Sequence, residues 1–137
     1  MRVIEREMRT ALETGTRLNK QNTKVYSFGG DYDLLERRTH VHLHGHLIAK
    51  IYPDRVVINN HGHPTRTTCD RLEVVLQMYC SAHVNLSYGS MILSMPCSIP
   101  GARRMWFGLN DNEDFTVPRT DVESVRSILE LNNNESQ

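Results

Sequence analysis

Between Val3 and about Leu18 the apolar residues Ile4, Met8, Ala11 and Leu12 recur at helical spacing, with Glu5/Arg9 and Glu13/Arg17 at i,i+4 on exposed positions. The pattern predicts an amphipathic helix, ended near Gly15 and the polar run Asn19-Lys20-Gln21-Asn22. Thr23 to Phe28 then alternates with period two, Gly29-Gly30-Asp31 breaks it, and Thr39 to His44 resumes it. Leu47 to Tyr52 and Arg55 to Asn59 are β-rich and joined by the turn pair Pro53-Asp54, so the four segments read as an antiparallel meander. The stretch Asn59 to Pro64 reads as a loop. Cys69, Leu72, Val75, Leu76 and Tyr79 lie on one helical stripe, with Thr67 or Thr68 as the N-cap, and this apolar face is expected to pack on the meander.

After Ala82 the period returns to two over Val84–Tyr88 and Met91–Met95, with Gly89-Ser90 as the hairpin turn. Pro96–Gly101 reads as a loop, and Arg103–Leu109 and Phe115–Val117 as strands either side of the acidic loop Asn110–Asp114. Thr120-Asp121-Val122-Glu123 has the spacing of a capping box that would open a third helix. The order of elements argues for an α+β fold: antiparallel sheet with three helices in a single compact domain over residues 1–131, followed by a frayed tail, 132–137. Within it, 1–80 is a helix-meander-helix half and 83–131 carries the remaining strands and the last helix.

Composition narrows the classes of function. At 137 residues and 39% hydrophobic, the chain can bury a core without structural metal or disulfides. No apolar run nears the roughly 20 residues of a membrane span, and the charged N-terminus is unlike an export signal, so a cytoplasmic protein without a membrane partner is expected. Three cysteines without a C-x-x-C argue against a disulfide framework and a zinc ribbon. The net charge of zero excludes an acidic DNA mimic and a bulk electrostatic footprint for DNA, so any nucleic-acid site must be local.

Four of the seven histidines fall within His40–His46. Strand periodicity puts His40, His42 and His44 on one face, with His46 joining them unless Gly45 bulges the strand, and His61 and His63 repeat the spacing in a nearby loop. Imidazoles so placed could share zinc or another divalent metal, giving His40, His42, His44, His61 and His63 as candidate ligands. A polar sheet face or an interface stripe accounts for the alternation equally, and acid/base chemistry is a third reading. Acidification would make the neutral chain strongly positive and set crowded imidazoles against one another. Cys69 sits near a helix start beside Arg66 and Arg71, but its place on the apolar stripe reads as an inert core thiol.

Two other patches could bind a partner. Thr65-Arg66-Thr67-Thr68-Cys69-Asp70-Arg71 places hydroxyls and guanidiniums at a helix start, where an anion is favoured, and Arg66, Thr68 and Arg71 are the candidates there. Capping by the threonines and pairing of Arg71 with Asp70 or Glu73 is the structural alternative. In Arg103-Arg104-Met105-Trp106-Phe107, strand alternation puts Arg104 and Trp106 on one face, and Arg103, Arg104 and Trp106 form the second candidate patch. Asp111, Glu113 and Asp114 read as solvated acids.

Asn22-Thr23-Lys24-Val25, Leu43-His44-Gly45-His46-Leu47-Ile48-Ala49 and Pro64-Thr65-Arg66-Thr67-Thr68-Cys69-Asp70-Arg71-Leu72-Glu73 together resemble a small uncharacterised domain that recurs in tailed-bacteriophage proteins. The resemblance covers about the first 76 residues. It departs from the shared pattern at His46, at His63-Pro64, and at Asp70 and Glu73. It implies a phage origin and the cytoplasm of an infected bacterium, and no reaction. Of the histidine cluster only His44 belongs to the shared pattern, whereas the threonine- and arginine-rich helix start does. The expectation is a non-enzymatic phage accessory or host-takeover protein that binds a host protein or nucleic acid. A histidine-dependent metalloenzyme such as a nucleotide or phosphoester hydrolase, and a self-associating structural component or homodimer, are the alternatives.

Overall fold

Helical spacing of Ile4, Met8 and Ala11 makes α1 (Val3–Thr14), which buries those three side chains. Gly15 closes it at φ 70°, a left-handed backbone that favours glycine; a Cβ there would come within 2.7 Å of the Arg37 guanidinium, the far end of a flexible side chain that can give way. The expected i,i+4 ion pairs do not form: Glu5 turns back to accept the Arg2 N–H at 3.2 Å, and Arg9 reaches Gln77 of the neighbouring helix at 3.5 Å. The structure, a computed structural model, describes residues 2–29, 37–96 and 103–121. The third helix expected beyond Thr120, Cys97 and the tail lie outside the described residues.

Five strands follow one another as a meander with β1 (Leu18–Lys20), β2 (Thr23–Phe28), β3 (Arg38–Leu43), β4 (His46–Ile51) and β5 (Arg55–Ile58). β1 is a correction, since its polar residues were read as a helix end; Leu18 pairs with Val25 and Lys20 with Thr23 instead. Then come α2 (Arg66–Cys80), β6 (His83–Ser87), β7 (Ser90–Pro96), β8 (Arg104–Gly108) and β9 (Phe115–Pro118). β9 returns to the edge of β5, giving a six-stranded antiparallel sheet in the order β1-β2-β3-β4-β5-β9, while β6-β7-β8 form a second antiparallel sheet.

Three hairpins close through two residues that both have positive φ: Gln21-Asn22, His44-Gly45 and Tyr88-Gly89. Two positive dihedrals in succession match the twist of the flanking strands, and glycine takes the second position in two of the three. The last turn lies one residue before the Gly89-Ser90 expected from the sequence.

The inward residues Val25, Val41, Leu43, Ile51, Val56, Ile58 and Val117 of the large sheet meet Leu72, Val75 and Leu76 of α2. Val84, Met91 and Leu93 of the small sheet join the same hydrophobic cluster. Phe107 of β8 touches Phe115 of β9 with ring centroids 5.3 Å apart, linking the sheets. The observed class is α+β with antiparallel sheets and, among the described residues, two helices. No described helix is long and apolar enough to cross a membrane.

Candidate nucleic-acid interface

Strand alternation sends Lys24, Tyr26 and Phe28 of β2 away from the core, opposite the buried Thr23 and Val25. Register then aligns them with neighbours pointing the same way: Tyr26 with His40 and Lys50, Lys24 with His42, and Phe28 with Arg38. The four rings form one cluster. Tyr26 stacks on His42 at 5.5 Å between centroids, Phe28 meets His40 edge-on at 4.7 Å, and Tyr26 lies 6.0 Å from Phe28. The Tyr26 hydroxyl is 3.2 Å from His42 Nε2 and 3.5 Å from His40 Nδ1. At one end of the face, the Tyr52 ring carries the Arg38 guanidinium at 5.2 Å and that of Arg55 at 4.1 Å. No described carboxylate pairs with Lys24, Arg38 or Lys50, and Asp54 is taken by Arg55 at 2.8 Å.

The imidazoles record this positive field. The pKa of His40 is lowered by burial, then by His42, Lys50 and Arg38. That of His42 is lowered by burial and Lys24, against a hydrogen bond to the Gly45 backbone that raises it. Both lie below the ordinary 6.5, so both rings are neutral at pH 7.5. Because the unfolded chain protonates first, the stability that comes from neutral rings is complete above 6.5 and lost as pH falls from there through the lowered folded values. The Tm should therefore drop between pH 7.5 and 5.5, and a His40→Gln/His42→Gln double variant should flatten that dependence. An unchanged profile in the double variant would place the sensitivity elsewhere.

The histidines do not gather as period two suggested. β4 carries an extra residue against β3, with Val41 opposite Ala49 but His42 opposite Leu47, so Ile48 bulges inward. His44 occupies the turn, and His46 pairs with Leu43 on the side that carries α2. There it joins the loop histidines, with ring centroids 5.4 Å from His61 and 5.3 Å from His63, while His61 Nε2 is bonded to the Leu47 carbonyl. The five candidate ligands His40, His42, His44, His61 and His63 are thus divided among a sheet face, a turn and a loop. Among the described residues no three His, Cys, Asp or Glu side chains are placed to hold a metal ion.

At the start of α2 the N-cap is Thr65, not Thr67 or Thr68: its hydroxyl accepts the Thr68 N–H at 3.2 Å. Thr68 is buried against it, with the two hydroxyls 3.0 Å apart. Arg71 is buried as well, donating from Nε to the Thr23 hydroxyl at 3.1 Å, so neither residue is presented for binding. Arg66 is exposed and pairs with Asp70 at 3.4 Å, and Glu73 pairs with His83 at 2.7 Å, so Arg71 takes neither acid expected of it. A cavity of about 400 Å³ beside this turn is lined by His44, His46, Asn60, His63 and the threonines. The second patch is divided too. Arg104 and Trp106 do share the outer side of β8, but Arg104 Nη2 closes the end of α2 by donating to the carbonyls of Ser81 at 3.1 Å and Ser94 at 3.0 Å. Arg103 and Trp106 are exposed, Trp106 at 65%.

Cys69 is an interior thiol. Its Sγ donates to the Val84 carbonyl at 3.3 Å, and burial pushes its pKa up to about 11, leaving no thiolate near neutral pH. The acids of the 110–114 loop are not merely solvated: Asp111 accepts from Asn60 at 3.1 Å and Asp114 from Asn59 at 2.9 Å. The ring cluster itself escaped the sequence reading. Its signal was present, since Lys24, Tyr26 and Phe28 alternate, but which face is open depends on where α2 packs.

Fold and site together define an α+β protein whose large sheet keeps one face for α2 and turns an aromatic, cationic face outward. Over residues 1–108 the chain matches the Kyanoviridae Gp96 protein family, and it belongs to that phage family. The matched span extends well beyond the first 76 residues that carry the phage resemblance in the sequence, taking in both described helices and β1–β8. No curated protein and no solved structure matches the chain.

Proposed function

We propose that this phage-family protein binds single-stranded nucleic acid on the outer face of its six-stranded sheet, in the cytoplasm of the infected host. The supporting observation is the packed ring surface of Tyr26, Phe28, His40 and His42 bordered by Lys24, Arg38 and Lys50. Every base has a π-face that can stack on such rings, and cations beside them neutralise backbone phosphates. The ring surface lies on a sheet face, with no described helix on that side to enter a duplex groove, which favours unpaired strands. Local charge of this kind also reconciles a phosphate-binding role with a chain of zero net charge.

Fluorescence anisotropy with labelled 12-nucleotide single strands tests the reading. Binding should weaken as salt rises, exceed that to a duplex of the same length, and fall about tenfold or more for Tyr26→Ala, the loss of roughly one stacked base. Lys24→Ala/Lys50→Ala should shallow the salt slope by about two contacts. Absence of binding, or affinity indifferent to both variants, overturns the proposal. The exposed Trp106 favours a second reading, in which β8 engages a host protein; a partner recovered by wild type and lost with Trp106→Ala, but retained by Tyr26→Ala, supports it.

A further inference from the structure

Two hairpin turns meet at one end of the ring surface. Gln21-Asn22 joins β1 to β2 and His44-Gly45 joins β3 to β4, and the His44 N–H donates to the Asn22 carbonyl at 2.8 Å, which ties the turns together. Between the turns and the rings lies a cavity of about 410 Å³, lined by Asn19, Asn22, Lys24, Tyr26, His42 and His44. That volume falls in the range of small-ligand pockets. Register places the lining, because Asn19, Lys24 and His42 form one row across the outer face. The stacked rings of Tyr26 and His42 supply a π-wall. Asn19, Asn22 and Lys24 are exposed, and no described side chain pairs with their polar ends.

The donor set suits a neutral planar group better than an anion. A carboxamide offers an N–H donor and a carbonyl acceptor in one plane, which matches the mixed edge of a nucleobase, whereas its oxygen opposes a phosphate. Among the described residues Lys24 is the one lysine or arginine in the lining, enough for a single phosphate at the rim. Resting on the binding reading above, we infer that this cavity seats one nucleobase of the bound strand, its face against Tyr26 and His42, its edge on the amides of Asn19 and Asn22, and its phosphate on Lys24. The rings hold any base by its π-face, while the two amides touch the base edge and leave the backbone to the cations.

The test compares an all-thymine 12-mer with an abasic 12-mer of the same backbone, by anisotropy on the full chain at low salt. Asn19→Ala/Asn22→Gly deletes both amides, and glycine suits the left-handed φ of 61° at Asn22. The double variant should lose about tenfold in affinity for the thymine strand, as expected for two hydrogen bonds, and less than twofold for the abasic strand. Lys24→Ala should weaken both strands. In parallel, nitrogen-15 NMR of the wild-type side-chain amides should show Asn19 and Asn22 shifting on titration with thymidine, which carries no phosphate, and not with deoxyribose 5-phosphate. Equal losses on the two strands, no loss on the thymine strand, or amide signals indifferent to thymidine overturn this inference and leave the binding reading standing. Failure of the wild type to bind the thymine strand overturns both.

Discussion

Asn60→Ala should cost about 3 kcal/mol of folding stability and lower Tm by roughly 10 °C. The side chain is 4% exposed and every polar atom of its amide is used. Oδ1 accepts the backbone N–H groups of Gly62 at 2.9 Å and Asn112 at 3.0 Å, and Nδ2 donates to Asp111 at 3.1 Å. Alanine would strand two part-buried amide donors and leave a hole in place of a buried side chain, each costing about 1 kcal/mol or more, while the exposed Asp111 carboxylate turns to water. It would also uncouple two loops far apart in the chain, the histidine loop before α2 and the acidic loop before β9. Asn60→Asp separates the contributions: it keeps the acceptor but sets a carboxylate against Asp111, so its penalty should shrink at acidic pH, whereas the alanine penalty should not. Urea titration checks both, and a loss below about 1 kcal/mol for Asn60→Ala would show that the amide does not hold the loops together.

Arg71→Ala should be comparably damaging, about 3 kcal/mol, yet leave the nucleic-acid affinity of the folded protein unchanged. The guanidinium is 3% exposed, wedged between α2 and the large sheet, where its Nε donates to the fully buried Thr23 hydroxyl. Burial lowers its pKa and Glu5 opposes that shift, with Asp70 a further favourable charge beyond the repulsion from Arg2. Alanine leaves a hole, removes the donor that the Thr23 hydroxyl accepts from, and takes away a cation that favours Glu5 and Asp70, although Asp70 keeps Arg2 and Arg66. Arg71→Met restores most of the volume and removes the charge together with its desolvation cost, so it should recover a large part of the loss. Thermal melts of both variants, with anisotropy on the folded protein, test the assignment. A stable Arg71→Ala protein with weakened binding would return Arg71 to the binding surface.

Arg71 shows how far local reading carries. In the sequence it stands with Arg66, Thr67 and Thr68 at a helix start, a composition suited to an anion. Its fate depended on which side of the first turn meets the sheet, and Thr23, the partner of its Nε, lies 48 residues earlier. Arg104 is parallel: alternation placed it beside Trp106, but the Ser81 and Ser94 carbonyls that occupy it come from other elements. For Asn60 the sequence held only the turn character of Asn59-Asn60, and the acidic loop it organises is 51 residues away at Asp111.

Short-range physics was largely legible, apart from β1, the Thr65 cap and the exact turn at Tyr88-Gly89. Period 3.6 located both described helices, period two located most strands, and turn residues located the breaks, because each depends on neighbours within a few positions. Even the separation of Val41 and Leu43 from His40 and His42 was visible, since a strand must alternate. Where the histidines end up required the bulge at Ile48 and the two-residue turn at His44-Gly45, which together send His46 to the side of α2 and leave His40 and His42 with Tyr26. Pairing partners, the return of β9 to β5, and the choice of an open face are set by contacts between residues far apart in the chain, whose energies no local pattern encodes. Helix and strand periods therefore belong to the sequence alone, whereas the ring surface with its cations exists only once β2, β3 and β4 are in register and α2 has covered the opposite side.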